Sequence, residues 1–183
     1  PGIMLAGAVR AYMNRFAVAT GEKVSVYTNN DDGWQTAKDL RFKGVKVVAV
    51  IDSRSISTVM TVQGAEIFMG TDVVDTKGRR RLKSIKLSNG KSIDTDSLAV
   101  SGGWNPNLHL TCHHRGIPKW NEGITSFVPD DKAPPGMSVA GRAKGTMVLN
   151  DAMKEAHDLG TSLAQEIGYK ASHLEHSTKP ALA

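Results

Sequence analysis

The chain has 183 residues, a formal net charge of +5, 40% hydrophobic and 5% aromatic residues, and a single cysteine, Cys112. That length holds one domain or two small ones, and the composition is that of a globular protein. One cysteine excludes an internal disulfide framework, no apolar run is long enough to span a membrane, and no secretory signal is visible, so a reducing, cytoplasmic setting is expected.

The chain opens at Pro1 in a helical pattern, Ile3-Met4-Leu5-Ala6-Gly7-Ala8-Val9-Arg10-Ala11-Tyr12-Met13, with apolar residues at helical spacing. It lacks an initiator Met, and nothing precedes this helix to pack on, so the sequence reads as a piece of something longer. Lys23 to Asn29 then reads as a buried strand, Asp31 to Lys43 as a helix, and Val45 to Ile51 as a second strand closed by Asp52. A βαβ unit with an acid ending its second strand is the layout of a dinucleotide site. The turn of such a site reads Gly-x-Gly-x-x-Gly, where the first glycine permits a tight turn and the second admits a pyrophosphate. Here it reads Thr28-Asn29-Asn30-Asp31-Asp32-Gly33, and only the third glycine survives. Thr28 brings a β-branched side chain to the first position. Asn30 tolerates a left-handed backbone but fills ligand space. Asp31 and Asp32 suit a helix N-terminus and would repel a phosphate there. The turn is expected not to bind, and Asn30, Gly33 and Asp52 are the alternative nucleotide contacts.

After Asp52 the pattern turns antiparallel. Ala65 to Gly70 reads as a strand, and the runs Arg80 to Leu87 and Ser92 to Asp94 flank Ser88-Asn89-Gly90-Lys91, a strong hairpin signal. Arg79, Arg80 and Arg81 form a dense basic run beside Lys77 and Lys83; with no interleaved aromatics they read as a solvated hairpin, and no nucleic-acid partner is expected. Asp94 and Asp96 alternate along a strand and read as a polar edge. Asp96 to Asn107 reads as a buried strand ending in the glycine turn Gly102-Gly103. The order of a βαβ unit, a meander and a returning strand resembles the nicotinamide domain of two-dinucleotide flavoproteins, giving an α/β fold class: a Rossmann-like βαβ with an antiparallel meander. Cys112 to Pro135 is loop-rich. Gly136 to Gly141 reads as a short strand and glycine turn, and Thr146 to Ile167 as an amphipathic helix that Gly160 weakens or divides. The residues after Tyr169 read as a frayed tail. Cys112-His113-His114 lacks the spacing of a metal site, His157, His173 and His176 read as solvated, and no metal is expected. Trp34, Trp104 and Trp120 read as packing residues.

Three strings, Pro1-Gly2-Ile3-Met4-Leu5-Ala6, Val24 to Asp32, and Ser101-Gly102-Gly103-Trp104-Asn105-Pro106, are distinctive. On them the chain resembles the alpha subunit of heterotetrameric sarcosine oxidase, in order over nearly its whole length. The resemblance implies the middle of a longer subunit, with 1–20 a flanking piece of a first dinucleotide-binding domain, 21–107 an inserted nicotinamide-domain-like βαβ plus meander, 108–135 crossover loops, and 136–183 the return to the first domain. It implies support for the oxidative demethylation of sarcosine to glycine, formaldehyde and hydrogen peroxide, with no catalytic residue in this chain. FAD and FMN belong to the complete complex, the partners are the other subunits, and folate binds only through regions absent here. It also implies a partial NAD site on the loop Gly141 to Leu149, with contacts at Arg142, Met147 and Leu149. Arg142 departs from the small residue usual there. Two other readings stand beside this one: a free-standing NAD(P)-dependent oxidoreductase domain using Asp52, and a ligand-free structural interaction module.

Overall fold

The computed structural model describes residues 1–55, 60–113, 115–130 and 133–170. Two compact units divide the chain, Pro1–Gly103 and Trp104–Ala183.

The first unit is built on a parallel sheet. The strands β1 (Ile3–Leu5), β2 (Val24–Thr28), β3 (Val47–Asp52), β4 (Glu66–Met69) and β8 (Ser97–Ser101) lie in the order β1-β8-β2-β3-β4, and every pair is parallel. β2, β3 and β8 are buried almost throughout, which is why they read as continuous apolar runs. One face is covered by α1 (Ala6–Phe16) and α2 (Asp31–Phe42), which bury Val9, Met13, Trp34, Ala37 and Leu40 against Val24, Val26 and Val50. The other face carries an antiparallel sheet of β5 (Val73–Lys77), β6 (Ser84–Leu87) and β7 (Ser92–Asp94), in that order. Leu82, Ile85, Leu87 and Ile93 pack there on Ala49, Ile51 and Leu98. The Asn89-Gly90 hairpin joins β6 to β7 as expected, and Arg79, Arg80 and Arg81 are exposed before β6.

Two readings of local structure are corrected here. Ile3 to Leu5 is not the start of the helix but an edge strand that pairs with Leu98 to Val100. Three consecutive apolar residues satisfy a strand as well as a helix turn, and the open edge of β8 decides. Residues 1–20 supply β1 and α1 to this unit. Segment 66–69 continues the parallel sheet beside β3, and the antiparallel part begins only at β5.

The second unit has little regular structure. A hairpin of β9 (Lys119–Asn121) and β10 (Ser126–Val128) stands where only loops are expected. Trp120 and Phe127 meet across it edge to face at 5.1 Å between ring centroids. No strand forms over 136–141; a single 3₁₀ turn, Gly141–Ala143, stands at its end. The last helix, α3 (Leu149–Glu166), is continuous through Gly160 and has no fully buried residue. Trp34 is buried as expected, whereas Trp104 and Trp120 are 52% and 49% exposed and are not core residues.

Candidate functional site

The β2–α2 turn is where the fold would receive a nucleotide. Thr28 ends β2 facing inward, 2% exposed. Its hydroxyl donates to the Asn30 carbonyl at 2.8 Å and accepts from the Asn30 N–H at 3.1 Å. Asn30 is the N-cap of α2: its Oδ1 accepts from the Asp32 N–H at 3.0 Å and from the Ser101 hydroxyl at 3.0 Å. Its Nδ2 donates to the Ser101 carbonyl at 2.9 Å. The side chain expected to crowd a ligand instead ties the turn to the end of β8. Gly33 keeps the third glycine's packing role. A Cβ there would lie 2.2 Å from Thr28 Oγ1 and 2.3 Å from Thr28 Cβ.

Asp52 stands at the end of β3, fully buried. Trp34 Nε1 donates to its Oδ2 at 2.7 Å, and Arg54 donates through its backbone N–H, Nε and Nη2 at 2.9, 3.1 and 2.8 Å. Burial pushes this carboxyl up, but the hydrogen bonds from Arg54 and Trp34 together outweigh it and hold it below the usual carboxylate value. Arg54 Nη2 also pairs with Asp31 at 2.9 Å. Arg10 pairs with Asp32 at 3.2 Å and Asp39 at 2.8 Å. The two carboxylates at the helix N-terminus, expected to repel a phosphate, are matched by cations from the chain itself. Asn30, Gly33 and Asp52 do come together, but the residues present do not fit a dinucleotide. The arginine partners of this network were not anticipated; the only sequence signal was an Arg two residues past the strand-end acid.

The second candidate, the loop Gly141 to Leu149, is organised by Glu155 from the second turn of α3. Glu155 Oε2 accepts from the Gly141 N–H and the Thr146 hydroxyl, each at 2.8 Å, and Oε1 pairs with Lys144 Nζ at 2.7 Å. Lys144 holds this carboxyl below its usual value, with burial opposing and the Gly141 and Thr146 bonds adding to the effect. Arg142 lies over the Trp104 ring at 5.0 Å. Met147 is half-buried, and Leu149, the first residue of α3, is 62% exposed. No side chain caps the N-terminus of α3. Its first-turn N–H groups are therefore available to an anion, and to that extent the residues fit a nucleotide phosphate. A cavity of about 500 Å³ beside it is lined by Lys144, Lys154, Asp151, Glu155 and Asp158 among others, so its charge is mixed.

Elsewhere the chemistry is sparse. Asp96 accepts from the N–H groups of Glu22 and Lys23 at 3.0 and 2.8 Å and serves the backbone. Cys112 is exposed. Among the described residues no group of three His, Cys, Asp or Glu side chains could hold a metal. Among the same residues no helix is long and apolar enough to cross a membrane. His114, His173 and His176 lie outside the described residues.

No family model matches the chain. It is 36% identical over 171 residues to the sarcosine oxidase subunit alpha of Rhizobium meliloti, covering 92% of this chain and 17% of that protein. Against the sarcosine oxidase subunit alpha of Corynebacterium sp. strain P-1 it is 33% identical over 185 residues, 93% of this chain and 19% of that protein. The resemblance seen in the strings of residues is thus borne out along nearly the whole chain, which spans less than a fifth of the length of the curated relatives it matches. The crystal structure of L-proline dehydrogenase from P. horikoshii superposes with a TM-score of 0.72 over 94% of this chain and 31% of that one, at 21% identity. At that identity the likeness shows the fold: a Rossmann-like α/β arrangement with an antiparallel meander.

Proposed function

We propose that these 183 residues work as a segment of a sarcosine oxidase alpha subunit, supporting the oxidative demethylation of sarcosine to glycine, formaldehyde and hydrogen peroxide without contributing a catalytic residue. The observation that carries this reading is the 36% identity over 92% of the chain to the Rhizobium meliloti subunit. FAD and FMN then belong to the remainder of a cytoplasmic heterotetramer, folate to regions outside these residues, and the partners are the other subunits. In this reading residues 21–107 are the inserted domain of the longer subunit, 1–20 are a flanking piece of its first dinucleotide-binding domain, and 136–183 carry the return to that domain.

A bound NAD would meet this chain at Arg142, Met147 and Leu149. The uncapped start of α3 offers N–H groups to a phosphate, and Arg142 offers a cation beside the Trp104 ring. NAD would supply charge and stacking surface to the subunit. In this reading Arg142, Met147 and Leu149 bind and orient the nucleotide, and no catalytic role is assigned to them.

The test is made on the enzyme assembled with its partner subunits, reading bound NAD after denaturation. Replacing Thr146-Met147 with a bulky, turn-disrupting pair should lower NAD retention several-fold, and Asp52→Ala should leave it nearly unchanged. Loss in the Asp52 variant with retention in the loop variant would reverse the two sites. NAD retained in both would remove this chain from the NAD site.

A further inference from the structure

We infer that Arg54 is a built-in occupant of the nucleotide position: the first unit keeps a dinucleotide-binding fold and is closed to dinucleotides by its own guanidinium. In an open site of this fold, the acid ending the second strand accepts from the adenosine ribose, and the pyrophosphate rests at the helix N-terminus. Here both receivers are taken. A carboxylate offers about four lone-pair positions. Asp52 Oδ1 takes the Arg54 backbone N–H and Nε at 2.9 and 3.1 Å, and Oδ2 takes Trp34 Nε1 and Arg54 Nη2 at 2.7 and 2.8 Å. Nothing is left for a ribose hydroxyl.

The same Nη2 reaches Asp31 Oδ1 at 2.9 Å. One guanidinium therefore runs from the strand-end acid to the first residue of α2, the span between ribose and phosphate in a bound nucleotide. At the helix start the Asp32 N–H is already given to Asn30 Oδ1. A planar fork suits this role, because it meets both oxygens of one carboxylate at once, which a lysine cannot do. An arginine near this position also serves to hold the 2′-phosphate of NADP in open sites. Arg54 is already paired with two carboxylates, so a phosphate would have to break both pairs. Of the four donors on Asp52, the two from the guanidinium are the ones a substitution removes; Trp34 and the backbone N–H remain.

The inference is independent of the NAD contacts proposed on the loop of the second unit, and its test separates the two. The full chain is titrated calorimetrically with ADP-ribose and with NAD. Two openings are compared: Arg54→Met, which keeps the stem and removes the fork, and Arg54→Ala with Thr28→Gly, which also clears the turn. Each is repeated with Asp52→Asn added, and folding is checked by circular dichroism. The expected result is affinity at least tenfold above wild type in the opened variants, lost again when Asp52→Asn is added. Wild-type binding that Asp52→Asn abolishes would overturn the inference, since the site would already be open. A folded Arg54→Met variant with wild-type affinity would overturn it as well, as would gained binding that ignores Asp52.

Discussion

Gly33 in the β2–α2 turn and Asp52 at the end of β3 match the residue types of a nucleotide site, and they do so for different reasons. Gly33 remains because α2 approaches β2 so closely that a Cβ would overlap the Thr28 side chain at 2.2 Å. That is a packing demand, and it holds with or without a ligand. Asp52 remains because Trp34 and Arg54 need an acceptor in a fully buried place. Asp52→Asn leaves Arg54 without its charge partner and part of the network unsatisfied, and should cost about 1–3 kcal/mol at neutral pH, read from the urea midpoint. The pH dependence follows from the lowered carboxyl. A group whose folded value lies below its unfolded value stabilises the fold fully above the unfolded value, here 3.8, and loses that contribution as pH falls toward the folded value. The gap between wild type and Asp52→Asn should therefore be constant near neutrality and close below about pH 4. A gap that widens on acidification would show that the carboxyl is not held low by these bonds.

Elements defined by their own pattern were legible, and elements defined by a neighbour were not. β2, α2, β3, the Asn89-Gly90 hairpin and β8 follow from apolar runs, a capped helix start and turn residues within the segment. β1 is three residues long and exists through its pairing with β8. The exposed strand β5 and the hairpin β9–β10 bury too little to leave a periodic trace. The candidate loop was legible as a glycine turn before a helix, while its organiser was not, because Glu155 lies 14 residues beyond Gly141 and inside α3. That staple carries its own prediction. Glu155→Ala leaves the Gly141 N–H, the Thr146 hydroxyl and Lys144 without their shared acceptor. Hydrogen exchange at Gly141 should quicken about tenfold, the equivalent of about 1.4 kcal/mol, while β2 and β3 in the first unit keep their protection. Unchanged exchange at Gly141 would mean that the loop is held by its backbone alone.

Each unit leaves large apolar side chains in solvent. Leu5 and Phe16 are 71% and 65% exposed in the first, and Leu149 and Ile167 are 62% and 74% exposed in the second. In the proposed reading these side chains are available for the rest of the subunit to cover. The first unit supplies a scaffold whose nucleotide turn is filled from within. The second supplies a loop and an uncapped helix start, and neither brings together a nucleophile, a metal set or an acid–base pair among the described residues. In the proposed function the chain supports sarcosine oxidation without performing it. The direct measurement is sarcosine-dependent hydrogen peroxide production, made under identical conditions on the purified chain and on the native complex that contains it. Peroxide from the complex and none from the chain alone is the predicted result. Turnover of sarcosine by the chain alone, or a native complex that leaves sarcosine untouched, would contradict the account.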